Sequence, residues 1–261
     1  QQNALKKIKE NSDKKSSSVT LLHGVTGSGK TEVYLQSIDY IIKKNQGAIM
    51  LVPEIALTPQ TVNRFRARFG EIVAVLHSSL SEGERHDEWH RIFDGSAKIV
   101  VGARSALFSP IKNLGLIILD EEHEPTYKQE ESPRYHARDV AVMRGKIDNC
   151  AVLLGSATPS LESIYNANIG KYDLVKMNNR IDNKKMPLIR AVDMTREIEE
   201  TGQPSLFSRE LVNAIYDRLN KNEQVILFLN RRGFSASVIC QECGYINECS
   251  SCSVTKPVSY T

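Results

Sequence analysis

Six runs of uninterrupted apolar residues punctuate the chain: VTLLHG (19–24), AIMLVP (48–53), IVAVLHS (72–78), KIVVGA (98–103), LGLIILD (114–120) and AVLLGS (151–156). None alternates apolar with polar positions. Each therefore predicts a strand covered on both faces, the habit of parallel sheets. The intervals between them repeat at helical spacing. Tyr34, Ile38, Ile41 and Ile42 share one face of a helix that stops at Asn45-Gln46-Gly47. Thr58 followed by Pro59 predicts an N-cap and a first turn, with Val62, Phe65 and Phe69 as the buried stripe. Ser81 to Glu84 has capping-box spacing, and Trp89, Ile92 and Phe93 supply the apolar side of that helix. Strands alternating with helices predict an α/β lobe with a doubly wound parallel sheet.

The texture changes beyond about residue 170. MNNRIDNKKMP (177–187) is polar and predicts a linker. A second pattern follows: a strand at LIRAVDM (188–194), a helix at SRELVNAIYDRLNKNE (208–223) with Leu211, Ile215 and Leu219 on one face, and a strand at QVILFLN (224–230). One or two strands cannot bury a core of their own, so this segment predicts the opening of a second, incomplete lobe. The expected division is a first lobe over 1–175, the start of a second lobe over 176–235 and a cysteine-rich module over 236–261.

Composition adds little to this picture. The chain has 261 residues and a net charge of +3, so any affinity for a polyanion must come from local placement. No apolar run reaches the ~18–20 residues needed to span a bilayer, and QQNALKKIKENSDKK at the N-terminus has no hydrophobic signal core. A cytoplasmic protein with no membrane partner is expected. Cysteine placement says more. Cys150 stands alone before a strand and is expected to be a buried structural thiol. Cys240, Cys243, Cys249 and Cys252 form C-x2-C-x5-C-x2-C, and in a reducing compartment such knuckles favour Zn²⁺ over disulfides. The five-residue gap is short for a single tetrahedral site, since common ribbons separate knuckles by ~15–20 residues. His86 and His90, on a charged helix, are expected to be solvated.

Chemistry concentrates at the strand ends. GVTGSGKT (Gly24, Val25, Thr26, Gly27, Ser28, Gly29, Lys30, Thr31) follows a strand and opens a helix, matching G-x-x-x-x-G-K-[ST] in the required context. Its glycines let successive N–H groups converge on phosphate oxygens at a helix N-terminus. Lys30 would reach the β- and γ-phosphates of ATP, and Thr31 would ligate Mg²⁺. Asp120, ending a hydrophobic strand in ILDEEH, is the second expected Mg²⁺ ligand, and Glu121 is placed to orient and deprotonate a water. Glu122 reads as a solvated or structural carboxylate. His123 either couples nucleotide state to the next strand or caps the strand end. In GSATPS (155–160) the small hydroxylated Ser156 and Thr158 suit a hinge that reports phosphate occupancy. The segment after DEEH is rich in groups that suit a nucleic acid. Tyr127 and Tyr135 offer faces on which bases can stack, and Lys128, Arg134 and Arg138 offer phosphate contacts.

GVTGSGKT, DEEH and SATP, in this order, look like motifs I, II and III of superfamily-2 helicases. LVPEIALTPQ (51–60), GARSALFSP (102–110), TYKQEESPRYHARD (126–139) and VILFLNRRGF (225–234) followed directly by the cysteines closely resemble the primosomal protein N′ (PriA) family of bacterial replication-restart DNA helicases. That resemblance implies a RecA-like P-loop NTPase lobe, ATP and Mg²⁺ as cofactors, and 3′→5′ movement on DNA at stalled forks for primosome assembly. It implies that Arg104 and Ser105 contact phosphates, and that the loop after DEEH links single-stranded DNA binding to hydrolysis. Gln1 would belong to a glutamine motif that reads adenine. For the cysteines it implies two interleaved zinc ions, each knuckle joining a different downstream pair that these 261 residues do not contain. Forked and single-stranded DNA, single-strand-binding protein and primosome loading proteins are the implied partners. The stretch KPVSYT at 256–261 departs from the family pattern. The chain reads as a fragment, expected to bind nucleotide weakly and hydrolyse it negligibly, because no arginine-finger motif occurs in it. The alternatives are another superfamily-2 translocase and a non-catalytic fork-binding scaffold that recruits a loader.

Overall fold

A computed structural model describes residues 1–13, 17–181, 187–203 and 205–228. The chain divides into two compact units between Met186 and Pro187. In the first unit α1 (Gln2–Ser12) precedes β1 (Ser18–Gly24), α2 (Lys30–Lys43), β2 (Gly47–Leu51), α3 (Pro59–Phe69), β3 (Val73–Leu76), α4 (Glu82–Asp94), β4 (Ile99–Gly102) and β5 (Leu114–Leu119). A two-stranded ribbon, β6 (Lys128–Gln129) and β7 (Tyr135–His136), then leads to α5 (Ala137–Ile147), β8 (Ala151–Ser156), α6 (Leu161–Asn168) and β9 (Asp173–Met177).

Seven strands form one sheet in the order β3-β4-β2-β5-β8-β1-β9, every neighbouring pair parallel. All six apolar runs fall in it. Successive strand residues face opposite layers: Ala48 and Met50 of β2 join the core shared with Tyr34, Ile38 and Phe65, whereas Ile49 and Leu51 join the core shared with Ile92, Ala106 and Ala141. That two-sided burial is why the runs carry no polar alternation. The seventh strand escaped the pattern because β9 pairs only with β1 at the sheet edge and alternates half-buried with exposed positions.

The caps follow the sequence. The Thr58 hydroxyl accepts from the Thr61 N–H at 3.3 Å, with Pro59 opening α3. Ser81 and Glu84 form the reciprocal capping box of α4. The apolar side of α4 is narrower than expected. Ile92 is buried, but Trp89 and Phe93 are 41% and 59% exposed, because edge strand β3 offers little surface to cover. His86 and His90 are exposed, as their charged helix suggests. Cys150 is buried, and burial pushes its thiol up to about 12.

The second unit contains α7 (Met194–Thr201) and α8 (Arg209–Asn220). The strand expected at 188–194 fails, since residues 187–193 carry no strand pairing and Met194 begins a helix; of the strand expected at 224–230, residues 224–228 carry no strand pairing and 229–230 lie outside the described residues. A strand needs a hydrogen-bonding neighbour, and no sheet is described in this unit. Leu211 and Leu219 remain exposed, and no residue of α8 is buried. Among the described residues no helix is long and apolar enough to cross a membrane.

Candidate nucleotide site and nucleic-acid face

Between β1 and α2 the backbone must reverse while presenting its N–H groups, and the glycines make this possible. Gly27 and Gly29 have φ of 78° and 88°, a region that side chains rarely enter. The Ser28 N–H donates to the Val25 carbonyl at 3.0 Å, and the Lys30 ammonium donates to the Gly24 carbonyl at 2.8 Å. Gln1 also reaches the loop, donating to the Ser28 carbonyl at 3.1 Å. The buried Ser28 hydroxyl has no hydrogen-bond partner among the described residues. That orphan and the open α2 N-terminus fit a phosphate.

The loop forms one wall of a cleft of about 440 Å³, and Asp120 and Glu121 stand in the same cleft as Lys30 and Thr31. The Thr31 hydroxyl and Asp120 carboxylate are hard oxygen donors, a set that fits Mg²⁺. Asp120 follows β5 directly, and its N–H donates to the Leu51 carbonyl at 3.0 Å. Its Oδ1 accepts from the Tyr34 hydroxyl at 2.9 Å and from the Glu121 N–H at 3.1 Å. Burial and the neighbouring Glu121 charge push its carboxyl above the usual range, opposed by the Tyr34 hydroxyl and the Lys30 ammonium. Glu121 itself has φ of 45°. Such a left-handed backbone costs a side-chain-bearing residue about 1–2 kcal/mol, the kind of local strain that collects at functional positions.

The next two residues join this strand end to the one after β8. His123 Nδ1 lies 2.8 Å from the Ser156 hydroxyl and 3.7 Å from a Glu121 oxygen, while its Nε2 lies 3.3 Å from the Thr158 hydroxyl. The three residues expected to couple are thus in mutual contact. Of the two readings of Glu122, the structural one holds. It is fully buried and accepts from the Ser160 N–H at 2.7 Å, the Ser160 hydroxyl at 3.0 Å and the Ser163 hydroxyl at 2.9 Å.

The nucleic-acid candidates separate into two groups. Ser105, Lys128 and Arg134 are exposed, and Arg104 and Tyr135 are half-buried. Arg104 also braces the loop, donating to the Thr126 and Lys128 carbonyls at 3.1 and 2.6 Å. Two expectations need correction. Tyr127 is 1% exposed, its ring in the core and its hydroxyl bonded to the Asp120 carbonyl at 2.7 Å, so it offers no face to a base. The Arg138 side chain is 9% exposed. It donates to the Ser160 hydroxyl at 2.7 Å and pairs with Glu122 at 3.5 Å, so it is not free to meet a phosphate.

Sequence reasoning missed three residues. Arg64 of α3 lines the cleft beside Lys30, and its signal was a basic position in TPQTVNRFRARF next to the buried Phe65. Phe108 is exposed and meets the Tyr135 ring edge-on, centroids 5.2 Å apart, within the motif GARSALF. Tyr34, whose helical phase predicts a core position, also carries a hydroxyl that reaches Asp120. Cys240, Cys243, Cys249 and Cys252 lie outside the described residues, among which no group of three or more His, Cys, Asp or Glu could hold a metal.

The chain is 52% identical over 255 residues to "Replication restart protein PriA" of Bacillus subtilis (strain 168), covering 98% of this chain and 32% of that protein. It is 48% identical over 242 residues to the protein of the same name from Haemophilus influenzae, covering 93% and 32%. The chain thus spans about a third of the length of these curated relatives. Among solved structures, the helicase MrfA aligns over 88% of this chain and 35% of its own, with a TM-score of 0.54 and 19% identity. The Pyrococcus furiosus Hef helicase domain aligns over 84% and 53%, with a TM-score of 0.52 and 19% identity. Both share the RecA-like fold. The family profile described as DEAD/DEAH box helicase matches residues 1–167, the stretch that holds both walls of the cleft. This chain belongs to the DEAD/DEAH box helicase family.

Proposed function

We propose that the protein carrying this chain is an ATP-dependent DNA helicase that remodels stalled replication forks, moving 3′→5′, so that replication restarts. The observation that carries this reading is one short connection. Asp120 lines the phosphate cleft with Lys30 and Thr31, and its own carbonyl holds the Tyr127 hydroxyl at the root of the basic ribbon. The likeness to proteins named for replication restart supports the biological setting.

In this mechanism the loop N–H groups and Lys30 bind the triphosphate. Thr31 and Asp120 would hold Mg²⁺, which supplies charge neutralisation at the phosphates. Glu121 orients the attacking water and accepts its proton. His123 bonds Ser156 and Thr158 when Glu121 is held near it, so a shift at the cleft reaches the β8 end. Tyr127 carries the same shift to the segment bearing Lys128, Arg134 and Tyr135, where DNA phosphates and bases would be gripped. The four C-terminal cysteines are the proposed ligands of Zn²⁺. Single-strand-binding protein and primosome loaders are the proposed protein partners.

Strand displacement from forked DNA tests this reading, using a protein of the relatives' length that carries this chain. Unwinding is expected to require ATP and a 3′ tail, and Lys30→Ala should reduce it about 10²-fold while fork binding survives, because the variant loses a charge-assisted phosphate contact. Unwinding that persists in Lys30→Ala, or that prefers a 5′ tail, would contradict it.

A further inference from the structure

Tyr34 lies on α2 three residues after Thr31 and four after Lys30, so it shares their helical face. It is fully buried, yet it belongs to the polar cleft as much as to the core: among the described residues its hydroxyl is the only side-chain group that donates a hydrogen bond to Asp120. That bond and the Glu121 N–H bond both fall on Oδ1. Among the described residues Oδ2 accepts no hydrogen bond and so keeps its lone pairs for a ligand, and the carboxylate cannot rotate without breaking two bonds.

A second observation, on a different strand, points to the same hydroxyl. A Cβ built on Gly155 would lie 1.8 Å from the Tyr34 oxygen and 2.8 Å from its Cζ. Gly155 is in β8, paired with Leu22 of β1, and its backbone needs no left-handed conformation. Its lack of a side chain is explained by the room the tyrosine needs. Gly155 also accepts the Glu122 N–H at 3.0 Å. Three motifs thus converge on one phenol: the phosphate loop helix that carries it, the acidic strand end that it holds, and the β8 end that makes space for it.

We propose that Tyr34 is a positioning residue for the Mg²⁺ site, fixing the Asp120 carboxylate through Oδ1, and that Gly155 is glycine in order to admit it. This rests on the nucleotide-site reading above. A tyrosine at this place does what a well-packed phenylalanine cannot, since only the hydroxyl reaches the carboxylate.

The test is a metal titration of the 261-residue chain with saturating ADP, following free Mn²⁺ by electron paramagnetic resonance. ADP affinity without metal and the melting temperature are measured alongside. Wild type must first show metal uptake that depends on ADP; if it shows none, the nucleotide-site reading itself falls, and this inference with it. Given that uptake, Tyr34→Phe is expected to raise the half-saturating Mn²⁺ concentration about tenfold, with metal-free ADP affinity within about twofold of wild type. Gly155→Ala should produce the same metal defect by displacing the hydroxyl, and adding it to Tyr34→Phe should weaken metal binding by less than the product of the two separate effects. An unchanged metal titration in folded Tyr34→Phe would overturn the proposal. So would equal losses with and without metal, or independent effects in the double variant. Should Tyr34→Phe fail to fold, Gly155→Ala alone decides: normal metal uptake there overturns the proposal.

Discussion

Exchanging Glu121 for glutamine is expected to slow ATP hydrolysis by about 10²–10⁴-fold, the range associated with removing a general base. The measurement is DNA-stimulated phosphate release by a protein of the relatives' length, and nucleotide affinity should stay within about twofold. The two side chains have nearly the same shape, so the left-handed backbone at φ 45° and the packing beside His123 survive the exchange. What is lost is basicity. Glu121 lines the cleft with Lys30, Thr31 and Asp120, but it is not the carboxylate that Tyr34 holds. A proton acceptor needs that freedom, and a metal ligand does not. If hydrolysis in Glu121→Gln stays within threefold of wild type, roughly 0.65 kcal/mol in barrier height, the base is another group.

One residue further on, Glu122→Ala is expected to lower the unfolding free energy by about 3–5 kcal/mol, read from chemical denaturation of the 261-residue chain. Adjacent acidic residues thus part completely in role. Glu122 is fully buried, accepts three hydrogen bonds from Ser160 and Ser163, and lies 3.5 Å from the Arg138 guanidinium. Truncation would strip a buried cation of a buried partner and leave the α6 cap without its acceptor. Asp139 and Glu162 also approach Arg138, at 3.2 and 3.6 Å, but both are largely exposed and cannot replace the lost bonds to the serines. A loss below about 1 kcal/mol would show that Arg138 finds solvent and that this cluster adds little.

The first unit was legible because both signals that define it are local. Continuous apolar runs mark central parallel strands, and GVTGSGKT carries its own geometry in its glycines. Asp120 and Glu121 could be found because they end such a run. What escaped depends on burial and on the partner each side chain finds. β9 is recognisable only by its pairing with β1 at the sheet edge. Tyr127 and Arg138 looked like nucleic-acid contacts because tyrosine and arginine beside a metal site suit that use. Burial decided otherwise: Tyr127 is held by a backbone carbonyl seven residues back, and Arg138 by Ser160 on another element. Composition cannot show whether a polar tip faces water or a buried acceptor. Tyr34 shows the opposite error, since its helical phase correctly predicted a core position and so concealed its hydroxyl. In the second unit the runs at 188–194 and 224–228 have the composition of strands, but no pairing neighbours are described there.

Whether one cleft gathers phosphate and metal is decided most directly by titrating a fluorescent ATP analogue into the 261-residue chain with and without Mg²⁺, alongside Asp120→Asn. Saturable binding at a single site is expected, tightened by Mg²⁺ in the wild type, with that tightening gone in Asp120→Asn. No saturable binding, or a Mg²⁺ effect that survives the loss of the Asp120 charge, would contradict the account.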